Sequence, residues 1–183
     1  MINHDFNAEV APFFDLAEGR RLAVCGLAEL PAYLDGRVSH IISLIDPRLE
    51  FNRIACDGHL ILRMHDIDED LPGHSAPTAA DAGAILSFVA GMAEQEAGFS
   101  LVVHCHAGVS RSSATALAAM LALDERLDPE TALADLALHR PQIWPNALLT
   151  GHFDRALGLD GSLIDAVARY RRDAFTREFG GWD

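Results

Sequence analysis

The stretch LVVHCHAGVSRSS, Leu101 to Ser113, runs an apolar segment straight into Cys105, with His104 and His106 on either side. Gly108 follows, then Arg111, with serines at 110, 112 and 113. If a strand ends at Cys105 and a helix begins near Arg111, then His106, Ala107, Gly108, Val109 and Ser110 wrap a turn at the helix N-terminus. Backbone N–H groups there lack intrahelical partners, and the helix dipole adds positive potential. Such a nest binds a tetrahedral oxyanion, and phosphate or sulfate would fit it. Gly108 suits the point where the chain turns tightly or comes close to a ligand. The fork of Arg111 can grip two oxygens of a phosphate at once.

Cys105 sits at the base of this cradle. Donors that favour a phosphate also favour a thiolate, so the sulfur is expected to be nucleophilic at neutral pH. The hydroxyl of Ser112 can reach back to it, and His104 can brace the loop through hydrogen bonds. The chemistry implied is in-line attack of sulfur on phosphorus, giving a cysteinyl-phosphate that water then breaks.

HCHAGVSRS resembles the signature loop of the protein tyrosine phosphatase superfamily: His-Cys, an intervening stretch that includes a glycine, Arg, then Ser or Thr. The resemblance extends in outline from about Leu22 to Gly158. By size it is to the compact dual-specificity or bacterial tyrosine phosphatases. It implies a general acid, an Asp on a mobile loop ahead of the cysteine. MHDIDEDLPG, from Met64, offers Asp66, Asp68 and Asp70, together with Glu69. Asp66 ranks first because it directly follows the strand-like HLILRMH, where compact relatives carry the acid; Asp68 is second and Asp70 third. Spacing does not separate them, since the loop path is not visible in a sequence. The resemblance also gives Asn146, in PNALLTGHF, a supporting role in ordering the active-site loops. WPN at Trp144 to Asn146 is not the Trp-Pro-Asp acid loop of larger relatives, since it follows the cysteine and ends in Asn.

The expected activity is metal-independent, cofactor-free hydrolysis of phosphate monoesters, with phosphotyrosine in proteins as the first substrate and dual specificity as the second. His106, Ala107, Val109 and Ser110 add no Lys or Arg to the loop, whereas relatives acting on polyphosphorylated inositides tend to add them. The rival readings are a phosphate-binding module without turnover, an arsenate reductase-like enzyme and a sulfurtransferase. Cys25 and Cys56 read as core or surface thiols, or as redox partners of Cys105. Three scattered cysteines without C-x-x-C suggest neither a disulfide framework nor a zinc site. Arg140 reads as a helix-end cation or as an orienter of the signature loop.

Four branched apolar runs must position these residues: LAVCG from Leu22, VSHIISLI from Val38, HLILRMH from His59 and LVVHC from Leu101. Helical patterns follow over Thr78 to Ala97, Arg111 to Leu123, Asp128 to about His139, Pro145 to about Gly158 and about Gly161 to Phe175. Strands alternating with helices, then helices alone, predict an α/β fold. Its central sheet is partly parallel, with roughly four to five strands and helices on both faces. The 183 residues read as one domain, with 176–183 as a loose tail. The net charge of −13 speaks against nucleic acid or an anionic membrane as partner. No apolar run approaches the roughly 20 residues that span a bilayer, and MINHDFNAEV lacks a signal-peptide pattern, so a cytoplasmic location is expected.

Overall fold

A computed structural model of the chain describes residues 13–179, apart from positions 35, 37, 96 and 97. The four apolar runs become the parallel strands of a five-stranded sheet. In chain order the strands are β1 (Phe14–Asp15), β2 (Arg21–Gly26), β3 (His40–Ile45), β4 (Gly58–Arg63) and β5 (Ser100–Cys105). They lie side by side as β1-β2-β5-β3-β4. β1 pairs antiparallel with β2 at the edge and is too short to leave a periodic signal. β5 is buried along its whole length, as its unbroken apolarity demands of a strand covered on both faces. With β2 and β3 parallel to it on either side, its carboxyl end opens among the loops that follow those strands, where ligands bind in open α/β sheets.

The helices are α1 (Ala79–Ala93), α2 (Arg111–Leu123), α3 (Pro129–His139), α4 (Ala147–Leu157) and α5 (Ser162–Phe179). Thr78 and Asp81 close a reciprocal capping box on α1, and the Asp128 carboxylate caps α3. Helix α1 stops at Ala93, before Ala97, which lies outside the described residues. Helix α5 runs to Phe179, into the stretch expected to be loose; Gly180 and Gly181 follow in the sequence, and 180–183 lie outside the described residues.

Successive strand residues divide between two layers, as the pleat requires. Leu22, Val24, Leu101 and Val103 join residues of all five α-helices in the main core. Ala23, Cys25 and Val102 face the other way, under Leu30 and Tyr33 of the short 3-10 turn Leu30–Tyr33 and under loop residues such as Phe51 and Ile54. The sheet is therefore covered on both faces, by the long helices on one and by a single helical turn and loops on the other. α2 is the centre of the first layer: every residue from Arg111 to Leu121 is buried, against α1, α3, α4, β2 and β5. Its alanines and serines keep the side chains short enough for neighbours to close in on all sides. Among the described residues no helix is long and apolar enough to cross a membrane.

Ala118, fully buried in the middle of α2, has no room for a longer side chain. Ala118→Leu is expected to cost about 1–3 kcal/mol by overpacking, read as a lower denaturation midpoint at unchanged slope; an unchanged midpoint would contradict this packing.

Candidate active site

The segment between β5 and α2 is curled into a cup. The Gly108 N–H returns to Cys105 Sγ at 3.3 Å, and Ser112 Oγ lies 3.2 Å from the same sulfur. Gly108 has φ +70°, and a Cβ there would lie 2.4 Å from the Cys25 carbonyl carbon and from the Gly26 nitrogen. Glycine is thus required both for the turn and for the close approach to β2. The loop carbonyls point away from the cup and are held by the scaffold. His106 O accepts from Leu27 N (3.0 Å), Val109 O from Trp144 N (2.9 Å) and Ser110 O from Asn146 N (3.2 Å). Gly108 O and Ala107 O accept from the buried Arg140 guanidinium at 3.2 and 3.4 Å.

Arg140 therefore braces the loop, one of its two sequence readings. Its partner, Glu29, was not singled out by the sequence, being 111 positions away. Both carboxylate oxygens of Glu29 accept from Arg140, at 2.9 and 2.8 Å, and one accepts from Gly26 N at 2.5 Å. Burial alone would raise the Glu29 carboxyl, but the Arg140 bonds and the Gly26 amide outweigh it and hold the group below its ordinary value.

Arg111 is 4% exposed, and its Nη1 donates to Met64 O at 2.7 Å. Its Nε faces Asp66 Oδ2 at 3.6 Å, beyond hydrogen-bond length, and has no other partner. Asp66 Oδ1 accepts from Ser110 Oγ at 2.6 Å and from Asn146 Nδ2 at 3.2 Å. Asn146, nearly fully buried, also donates to Ile67 O (3.0 Å) and caps α4 by accepting from Leu149 N (2.8 Å). Of the three aspartates, Asp66 is the one bonded to the cysteine loop. Asp68 accepts from Ala147 N at 2.8 Å and from Arg171 at 2.7 Å instead. Asp70 lines a separate hollow with Arg63, His74 and His152.

A pocket of about 540 Å³ opens between these parts, lined by Asp46, Arg48, Leu49, Asp66, His106, Ala107 and Arg111. The first three follow β3, and sequence reasoning missed them; their place just past a strand's carboxyl end was the available signal.

His104 is fully buried and belongs to a chain of hydrogen bonds across three strands. His59 Nδ1 accepts from Ile54 N at 2.9 Å, which leaves the proton of a neutral ring on Nε2 to be donated to Ser43 Oγ at 2.7 Å. The Ser43 hydroxyl then donates to His104 Nε2 at 2.6 Å. Burial pushes the His104 ring down to about 4, so it is neutral at neutral pH. Cys25 pairs in register with His104, in the layer opposite Cys105; burial first, then Glu29, push its thiol up to about 12. Cys56 donates to Gly58 O, and all three cysteines are free. His139 stacks on Phe14, and His152 bonds the Pro77 carbonyl, so neither belongs to the cup. His65 contacts His74, and its Nε2 lies 3.8 Å from Asp46 Oδ2 on the pocket wall. Among the described residues no three His, Cys, Asp or Glu side chains converge as a metal site.

No protein-family model matches the sequence, and no curated protein is significantly similar to it. Solved structures are similar in fold. Human tyrosine phosphatase-like serine/threonine/tyrosine-interacting protein aligns at 20% identity and TM-score 0.56, over 81% of this chain and 97% of that one. Human DUSP28 aligns at 21% identity and TM-score 0.53, over 76% and 94%. PTPMT1 in complex with PI(5)P aligns at 19% identity and TM-score 0.52, over 91% and 98%. The chain has the fold of the dual-specificity and tyrosine phosphatases.

The buried neutral His104 gives the fold a dependence on acid. The unfolded ring takes up a proton below its ordinary value of 6.5, and the folded one only near 4, so the stability it contributes is full above about pH 6.5 and drains as pH falls toward 4. At pH 5 the loss from this one group is about 2 kcal/mol. Urea denaturation at pH 7 and pH 5 is expected to show a smaller acid loss in His104→Gln; equal losses in both proteins would contradict the assignment.

Proposed function

We propose that the chain is a cysteine-dependent phosphate monoesterase, a single catalytic unit working in the cytoplasm on phosphotyrosine in proteins. The observation that carries this reading is Asp66. A carboxylate from the loop after β4 is bonded to the cysteine loop through Ser110 and faces the buried Arg111. A cradle that only held phosphate would have no use for an acid at its rim.

In the first step Cys105 Sγ attacks phosphorus, the bond to the leaving oxygen breaks, and Asp66 gives that oxygen its proton. Oδ1 is already engaged as an acceptor by Ser110 and Asn146, which leaves Oδ2 as the oxygen turned to the leaving group. The inward amides, together with Arg111, take the charge that builds on the equatorial oxygens, and Arg111 is oriented by the Met64 carbonyl. In the second step Asp66 takes a proton from water, whose oxygen attacks phosphorus. The P–S bond breaks, inorganic phosphate leaves, and the Ser112 hydroxyl receives the returning thiolate.

The pocket favours a monophosphate. The cysteine loop contributes no cation beyond Arg111, and on the wall beyond it the charge of Arg48 is countered by Asp46 beside it. A phosphoinositide monoester is the second reading, since one structure of similar fold was solved with PI(5)P. Another similar structure is named phosphatase-like, so fold by itself leaves turnover open; the intact set Cys105, Arg111, Ser112 and Asp66 supports an enzyme. An arsenate reductase would need a second thiol at hand, and Cys25 packs in the layer opposite Cys105.

Purified protein is expected to hydrolyse a phosphotyrosine peptide faster than a phosphoserine peptide or phosphatidylinositol phosphate, with inhibition by vanadate. Cys105→Ser should keep the fold and lose turnover; activity at the original level in this variant would end the proposal. Asp66→Asn should lose about a hundredfold or more in kcat, while Asp70→Asn stays close to the unmodified protein. The reverse ranking would move the acid to Asp70.

A further inference from the structure

The acid-bearing loop is fastened to the last helix. Asp68, two residues beyond Asp66, is held at both carboxylate oxygens, by Ala147 N at the start of α4 (2.8 Å) and by the Arg171 guanidinium on α5 (2.7 Å). Arg171 also lies over the Trp144 ring, 4.8 Å from its centroid, and the Trp144 N–H holds the Val109 carbonyl of the cysteine loop. One guanidinium thus contacts both walls of the site, the loop that carries Asp66 and the segment that braces Cys105. Between them Asn146 bonds Asp66 and Ile67 O.

From this geometry we propose that Arg171 and Asp68 form a latch that sets the position of Asp66, making Arg171 a positioning residue for proton delivery to the leaving group. The proposal rests on the reading of Asp66 as the acid. The pair is too exposed to matter much for stability, Arg171 being 22% and Asp68 44% exposed at the side chain. Its effect is on placement. Residues 66–70 form no helix or strand of their own, so where the Asp66 carboxyl sits depends on what the loop is tied to. Without the latch, Asp68 is held only by Ala147 N, at one carboxylate oxygen instead of two, and the chain that carries Asp66 has more room to shift. Displacing a reacting group by about 1 Å can cost a hundredfold in rate.

A defect in acid placement differs from a general loss of structure. Proton delivery matters most when the leaving alcohol is weakly acidic and hardly at all when it departs unaided. Arg171→Ala is therefore expected to lower kcat on phenyl phosphate by about ten- to a hundredfold at nearly unchanged KM, with little change on an aryl phosphate of a strongly acidic phenol. Arg171→Lys should recover most of the loss. Asp68→Asn, which can still accept from Ala147 N, should match Arg171→Ala, and the double variant should be no worse than either single one. Asp66→Asn should show the same dependence on leaving group, more steeply. A loss equal on all leaving groups, or none, in Arg171→Ala overturns the latch while leaving Asp66 in its role. A flat profile in Asp66→Asn removes the acid, and the latch with it. Hydrogen exchange at Ile67 to Glu69 reads the latch without turnover: it is expected to quicken in both Arg171→Ala and Asp68→Asn, and unchanged exchange overturns the proposal even in a protein that hydrolyses nothing.

Discussion

The structure depends on one constraint: a handful of residues must join the end of β5 to the start of α2 with their amides turned inward over a sulfur atom. A loop in that state has its carbonyls pointing outward, and buried carbonyls need donors. The surroundings of the cup can be read as the answer to that need. Leu27, Trp144, Asn146 and Arg140 each supply a donor, from the end of β2, the segment before α4 and the end of α3. Elements far apart in sequence converge here because each satisfies one carbonyl of the same turn.

The two buried arginines divide the work. Arg140 stands outside the loop, paired with Glu29, and acts on carbonyls; its charge is balanced where it sits. Arg111 stands inside, held by the Met64 carbonyl and facing Asp66 without a hydrogen bond, so that its charge is directed at the pocket. On the proposed reading, this arrangement lets a protein with a net charge of −13 offer a local anion site, because fixed donors at short range outweigh the screened field of distant surface carboxylates. Asp46 and Arg48 lie side by side on the same pocket wall, one charge of each sign.

Much was legible in advance where a feature depends on neighbours along the chain. The cysteine loop was readable because a strand end, a glycine at positive φ and a helix start follow one another within a few residues. Helix α2 was readable from its uniform run of small and apolar residues, which fits a helix enclosed on all sides. The edge strand β1 was not, since two residues carry no period. Asp66, Asp68 and Asp70 look alike in sequence. They separate only because the loop after β4 passes Asn146 and the start of α4, which place one against Ser110, give the next to Arg171 and leave the third facing another hollow. Nor could any local pattern announce that Glu29 would answer Arg140, or that Ser43 would link two buried histidines.

What the amino-acid sequence settled alone was therefore local: residue types at fixed spacing, the periods of strands and helices, and the backbone freedom of Gly108. These follow from bond geometry and near-neighbour sterics, which chain order determines. What the tertiary structure decided was the division of like residues into unlike roles, among the aspartates and between Arg111 and Arg140. Those roles depend on through-space neighbours at hydrogen-bond distance, and such neighbours exist only once the sheet order has brought the ends of β2, β3, β4 and β5 together.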